Sequence, residues 1–146
     1  MNHKEVLIEK TINAPVEKVW KAITDNEEMK HWYFKIREFK PTPGFEFDFS
    51  DGPPDRKYLH LCKVTDVVPG KKIAYTWRYD EYPGNSLVTW ELTPEGGKTK
   101  VKLTHTGIES FKTDDPNFSE GSHEKGWTYI IDVSLRGYLE RNKKDK

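Results

Sequence analysis

His105 is the residue in this sequence best placed to do chemistry. It closes a run in which Val101, Leu103 and His105 alternate with Lys100, Lys102 and Thr104, and that period of two puts the imidazole on the apolar side of a β-strand. A histidine held there needs a partner for each ring nitrogen. Either the fold supplies both and the residue is a hydrogen-bonded core histidine, or one nitrogen faces a ligand. In the second case it would orient a polar head or act as a general acid or base near neutral pH. His123 and Glu124 form another candidate pair. In a helix that begins by Ser122, His123 lies about 40° from Trp127 on the inward side and Glu124 about 60° away on the other. The dipole of that first turn favours the carboxylate and disfavours a charged imidazole. The two could be an acid–base pair at a pocket mouth, or ordinary polar residues at a helix N-terminus.

Metal chemistry has little to work with. His60 and Cys62 share a strand face but lack a second pair of ligands. Asp48, Asp51 and Asp55 around Gly52 miss the calcium-loop pattern, because Pro53 stands where that loop needs its glycine. The chain has no P-loop, no Gly-x-Gly-x-x-Gly and no Gly-x-Ser-x-Gly. No metal and no cofactor is expected.

Composition removes further classes. The 146 residues suit one domain over 1–146, with a core from about 6 to 141. Lys and Arg number 24 against 24 Asp and Glu, so there is no basic excess to bind nucleic acid. No apolar run approaches the roughly 20 residues that span a bilayer, so no membrane partner is expected. The start, Met1-Asn2-His3-Lys4-Glu5, leads into a charged alternating segment rather than a signal peptide. One cysteine, Cys62, fits a reducing compartment, and a cytoplasmic location is expected. The apolar fraction of 34% is thin, but seven Phe, seven Tyr and five Trp offset it, since each ring can bury about 150–250 Å².

The elements that must position these groups follow from pattern. Val6, Ile8 and Ile12 alternate with charged and polar residues as a strand with one wet side. Pro15 then suits the first turn of a helix carrying Val16, Val19, Trp20 and Ile23 at helical spacing. Asp25 and Glu28 have the shape of a capping box ahead of Met29, Trp32 and Tyr33, which predicts a second short helix. From about 36 to 106, turn clusters such as Pro41-Thr42-Pro43-Gly44, Asp51-Gly52-Pro53-Pro54 and Pro69-Gly70 separate alternating segments. Turns so short join antiparallel neighbours, giving a six-stranded meander. Its inward residues are Phe45, Phe47 and Phe49; Ile73, Tyr75, Trp77 and Tyr79; Val88, Trp90 and Leu92. Residues 58 to 68 do not alternate cleanly, so their facing stays open and a bulge is allowed. Gly107 to Gly121, with Ile108, Phe111 and Phe118, is long enough to be a lid. A long closing helix follows, with Trp127, Ile130, Ile131, Ser134, Leu135, Tyr138 and Leu139 on one broad face and Val133 extending its flank. Gly126 and Gly137 on that flank mark either a close approach of another backbone or tolerated defects.

Taken in order, Ala14-Pro15 before Val19-Trp20, Trp32, Pro43-Gly44, Pro69, Tyr75-Thr76-Trp77, Leu103-Thr104-His105, Gly126-Trp127 and Tyr138-Leu139 resemble the C-terminal-type domain of activators of heat-shock protein 90 ATPase. The resemblance runs from about Val6 to Arg141. That family belongs to the START-like superfamily, also called birch-pollen-allergen-like or polyketide cyclase-like. The resemblance implies an α+β helix-grip fold: a curved antiparallel sheet of about seven strands, wrapped around the long C-terminal helix and enclosing a cavity. Eukaryotic activators carry an additional N-terminal domain that engages the chaperone. A chain of this length has no room for one, so ATPase activation is not expected.

A pocket in this architecture would take its wall from Phe45, Phe47, Tyr75, Trp77 and Trp90 on the sheet and Trp127, Ile131 and Tyr138 on the helix. His105 and His123 would be its polar members. The expected function is binding of a small lipophilic or aromatic molecule, without catalysis. Two alternatives stand beside it: a cyclase- or dehydratase-type enzyme using His105 as acid/base, and a chaperone-associated domain whose partner is a heat-shock protein 90 homologue.

Overall fold

Alternation in sequence becomes sheet in six segments of the chain. A computed structural model describes residues 5–33, 36, 38–51, 58–80, 82, 84–111 and 120–144. The strands are β1 (Glu5–Ile12), β2 (Glu46–Asp51), β3 (Tyr58–Val68), β4 (Lys72–Tyr79), β5 (Ser86–Glu95) and β6 (Lys98–Thr106). They pair antiparallel in the order β1-β6-β5-β4-β3-β2. Two short helices, α1 (Val16–Thr24) and α2 (Asn26–Trp32), lie between β1 and β2. The chain closes with a helix in three consecutive stretches, α3 (Glu120–Tyr129), a π-helical segment (Ile130–Leu135) and α4 (Arg136–Lys144). The α+β arrangement is the expected one, a curved antiparallel sheet around a long C-terminal helix.

The inward faces agree with the period-two pattern. Phe47 and Phe49, Tyr75 and Trp77, Val88 and Trp90, and Val101, Leu103 and His105 are all buried. In β3 the residues Tyr58, His60, Cys62 and Val64 point into the core. A slip in register between Val64 and Asp66 then adds one residue, so that Val67 rather than Asp66 returns to the core side. That bulge is why the segment does not alternate cleanly.

The described sheet has six strands, not about seven, because the segment ahead of Pro41 is not one of them. Ile36 and residues 38–40 run outside the sheet, yet Ile36 and Phe39 are buried. The side chain of Asn26 replaces a partner strand: its amide donates to the Ile36 carbonyl (3.0 Å), and its oxygen accepts from the Phe39 N–H (2.9 Å). Buried backbone groups need such partners, and one amide here serves two of them.

Only half of the capping box forms. Asp25 accepts from the Glu27 N–H (2.9 Å) and the Glu28 N–H (3.4 Å), while Glu28 faces Lys21 (3.5 Å) and accepts from the Tyr138 hydroxyl (3.2 Å). The last bond ties α2 to the C-terminal helix. The proposed lid is described only at its ends: a 3-10 turn at Ile108–Ser110 carries buried Ile108 and Phe111. Residues 112–119, including Phe118, lie outside the described residues, as do Asp55 and most of the turn after Asp51. Gly84 sits at φ +110, where a Cβ would overlap the Ser110 carbonyl, so this turn and that 3-10 turn fit only without a side chain.

The C-terminal helix departs from its expected phase. His123, Trp127, Ile131, Leu135 and Leu139 are buried, spaced strictly by four. In an α-helix each such step drifts about 40°, which would carry Leu139 about 160° away from His123. The wider π turn, in which the Arg136 N–H donates to the Ile131 carbonyl five residues back, absorbs much of that drift. In consequence Val133, expected on the flank of the inner face, is 52% exposed. Gly126 is exposed, and a Cβ there would meet nothing within 4 Å. It is a tolerated defect rather than a close approach. Gly126→Ala is therefore expected to stabilise the protein by up to about 1 kcal/mol, read as a higher midpoint in urea unfolding; a lower midpoint would mean that the glycine has a packing role.

Candidate ligand-binding site

The buried end of the site is built around Trp77 on β4. Its ring centroid lies 5.0 Å from His60, 5.2 Å from Trp127, 5.5 Å from His105 and 5.6 Å from Phe49. At those separations, rings fill the space between sheet and helix where these residues meet.

The protonation of His105 follows from its partners. Trp127 Nε1 donates to His105 Nδ1 (3.0 Å), and an indole N–H can only donate. The neutral ring therefore carries its proton on Nε2 and donates to Ser86 Oγ (2.8 Å), whose own proton goes to the Trp77 carbonyl (2.6 Å). Both nitrogens are engaged inside the fold. Burial, and secondarily the charge His123 would carry, hold the His105 pKa well below its usual 6.5. A second proton on Nδ1 would face the indole N–H, donor against donor.

His60 and His123 flank this network. His60 Nδ1 donates to the Tyr58 carbonyl (3.0 Å), and the ring stacks on Phe49 at 4.5 Å; burial lowers its pKa to about 4. His123 Nε2 meets the Tyr79 hydroxyl at 2.8 Å, and that hydroxyl accepts from Trp77 Nε1 (2.9 Å). Glu124, the other half of the suggested acid–base pair, is exposed. His123 thus pairs with a phenol. Among the described residues no group of three His, Cys, Asp or Glu could hold a metal ion, and no helix is long and apolar enough to cross a membrane.

A groove of about 490 Å³ opens on the other side of these rings, between α2 and the π segment. Its lining is His31, Trp32, Tyr33, Tyr129, Val133, Ser134 and Tyr138. Tyr138 stacks against His31 with ring planes 5° apart and bonds to Glu28. Trp32 and Tyr33 separate groove from core. Trp32 meets Trp90 edge-on at 6.0 Å, and Tyr33 lies 6.5 Å from Trp127 and 6.2 Å from Phe49. The Tyr33 hydroxyl bonds to that of Tyr75 (2.8 Å), which accepts from Trp90 Nε1 (3.0 Å). Burial raises the Tyr75 pKa.

The model of the family described as Activator of Hsp90 ATPase homolog 1-like protein matches residues 13–140. The chain belongs to this family. Comparison with curated proteins gives no match. Among solved structures, MLL2253 from Mesorhizobium loti is 28% identical with a TM-score of 0.75, over 94% of this chain and 97% of that one. BH1534 from Bacillus halodurans is 26% identical with a TM-score of 0.74, over 95% and 99%. DynU16, a protein of the dynemicin biosynthetic locus, shares the fold at 21% identity and a TM-score of 0.77. This chain covers 94% of itself in that match and 47% of DynU16, about half its length. The fold is thus the helix grip, a curved antiparallel sheet around a long C-terminal helix, which these solved structures share.

Within this Hsp90 ATPase activator homologue domain, the ten residues singled out from sequence fall into three places. Tyr75, Trp77, Trp90, His105, His123, Trp127 and Ile131 are buried in the interior, and Phe47 joins them through Tyr75 at 5.2 Å. Tyr138 lies in the groove. Phe45 is half-buried and lines a separate depression of about 160 Å³ beside Glu38, Glu46 and Asp48. Sequence reasoning missed His31, Trp32, Tyr33, Tyr129 and Ser134 as groove residues, and Ser86 and Tyr79 as partners of the histidines. Tyr79 was legible from its parity with Trp77; which residues border the groove depends on how α2 meets the π segment.

The two depressed histidines set a pH dependence. Their folded pKa values lie below the roughly 6.5 of an unfolded histidine, so the unfolded chain binds more protons as pH falls. Their contribution is complete above about pH 6.5 and is lost as pH drops toward 4. Denaturant midpoints are expected to fall steadily over that window, with a loss of about 3 kcal/mol by pH 4 from His60 alone. A flat profile from pH 7 to 4.5 would contradict buried neutral imidazoles.

Proposed function

We propose that this domain binds a small lipophilic or aromatic molecule in the cytoplasm, without catalysing its conversion, and that the groove between α2 and the π segment holds it. The observation that carries the reading is the groove itself. Its volume of about 490 Å³ lies within the range of about 300–1,000 Å³ typical of small-molecule sites, and the rings of Trp32, Tyr33, Tyr129 and Tyr138 border it, with most of the surface presented to it polar. The π turn adds weight, since such turns are frequent at functional sites and this one exposes Val133 to the groove. Free, buried Cys62 accords with a reducing compartment.

The acid–base reading of His105 gains no support from its network, in which both ring nitrogens already have partners. Association with heat-shock protein 90 rests on family membership, and failure to co-purify with that chaperone would remove it.

The test is a thermal-shift screen of a fatty-acid and flavonoid library, with hits checked by native mass spectrometry. At least one compound is expected to raise the melting temperature, and Val133→Trp, which fills the groove from an exposed position, is expected to abolish that rise with little change in the unliganded melting temperature. A library without hits, or hits indifferent to Val133→Trp, would rule out the groove as the site.

A further inference from the structure

The polar side chains that border the groove are not equally engaged. The Trp32 indole donates to the Ala22 carbonyl, the Tyr138 hydroxyl donates to Glu28, and the Tyr33 hydroxyl is paired with that of Tyr75. Two others differ. His31 on α2 and Ser134, half-buried on the π segment, both line the groove, and neither side chain hydrogen-bonds to any described residue. A helical serine or threonine commonly turns its hydroxyl back to the carbonyl four residues earlier, as Thr24 does to Trp20 (2.7 Å); Ser134 does not. Tyr138 brings the two together. It follows Ser134 by one turn on the same side of the helix, and its ring stacks on that of His31 at 5.8 Å. A molecule that fills the groove shuts water away from both side chains, and one that cannot replace that water leaves them unpaired. Among the described residues the lining holds no Lys, Arg, Asp or Glu, so no fixed charge is there to balance an ionised ligand.

We infer that His31 and Ser134 are specificity-determining residues of the groove, and that the ligand class they select is a neutral aromatic molecule carrying one group that both donates and accepts a hydrogen bond, as a phenol does. This rests on the groove being the binding site. An imidazole nitrogen is a far stronger base than a hydroxyl oxygen, so the proton of the ligand goes to His31, and its oxygen accepts from Ser134, whose hydroxyl rotates to suit. The rings of Trp32 and Tyr138 take the flat body of the ligand.

Three probes built on one ring system test this: 2-naphthol, which donates and accepts; 2-methoxynaphthalene, which only accepts; and 2-methylnaphthalene, which does neither. Each is titrated by amide NMR into the full chain, into His31→Phe and into Ser134→Ala. The wild type is expected to bind 2-naphthol about three- to tenfold more tightly than the methoxy compound, and that compound about three- to tenfold more tightly than the methyl one, each step being the worth of one neutral hydrogen bond. His31→Phe, which keeps a ring against Tyr138, should remove the first step alone, and Ser134→Ala the second alone. Affinity for 2-methylnaphthalene should stay within about twofold in both variants, the control that the groove is intact. Equal binding of the three probes by the wild type, steps that survive these substitutions, or a variant that loses all three probes alike would overturn the roles of His31 and Ser134 and leave the groove standing. Failure of the wild type to bind any of the three would overturn the groove and this inference with it.

Discussion

The bond from the Trp127 indole to His105 Nδ1 is the constraint around which the interior is arranged. It joins the C-terminal helix to the C-terminal end of β6 through two groups that would be costly to bury unpaired. It also dictates the tautomer of His105, and through it the direction in which the Ser86 hydroxyl donates, to the Trp77 carbonyl. The same requirement recurs for each buried indole. Trp32 donates to the Ala22 carbonyl, Trp77 to Tyr79 and Trp90 to Tyr75. An interior rich in rings and poor in aliphatics would be free to slide if its contacts were dispersion alone. Four indole N–H groups, each with a defined acceptor, give the rings one orientation.

That arrangement bears on function because it uses up the polar atoms in the interior. His105 and His60 are held neutral by burial, and these two and His123 all have partners within the fold. Ligand chemistry moves outward instead, to the face where α2 approaches the π segment. There Glu28 gives up its return bond to the cap and accepts from Tyr138, which holds the two walls of the groove at a set separation. The π turn helps in two ways: it keeps Trp127, Ile131, Leu135 and Leu139 against the core at four-residue spacing, and it turns Val133 outward.

Much of this was readable in advance, for local reasons. Strand parity at Phe47, Trp77, Trp90 and His105 depends on a period of two and on which neighbours are polar, and Pro15 and Asp25 announce two helix starts through backbone groups they satisfy or lack. Other features were not legible. That residues 38–40 would leave the sheet depends on Asn26, more than ten residues away, supplying bonds a strand would have made. That Val133 would face outward depends on a π turn, which helical periodicity does not register.

The amino-acid sequence by itself determined the class of fold and the inward faces of most strands, because these rest on short-range periodicity and on turn residues whose backbone preferences are intrinsic, while the family was legible through the resemblance carried by residues such as Tyr75-Thr76-Trp77 and Gly126-Trp127. Whether His105 was a core histidine or a reactive one was decided only in three dimensions. The answer lies with Trp127 and Ser86, one on a different element and the other on a neighbouring strand, which fill the two nitrogens. The location of the groove was decided in the same way. A cavity is the space left between elements, and no single element's sequence encodes it.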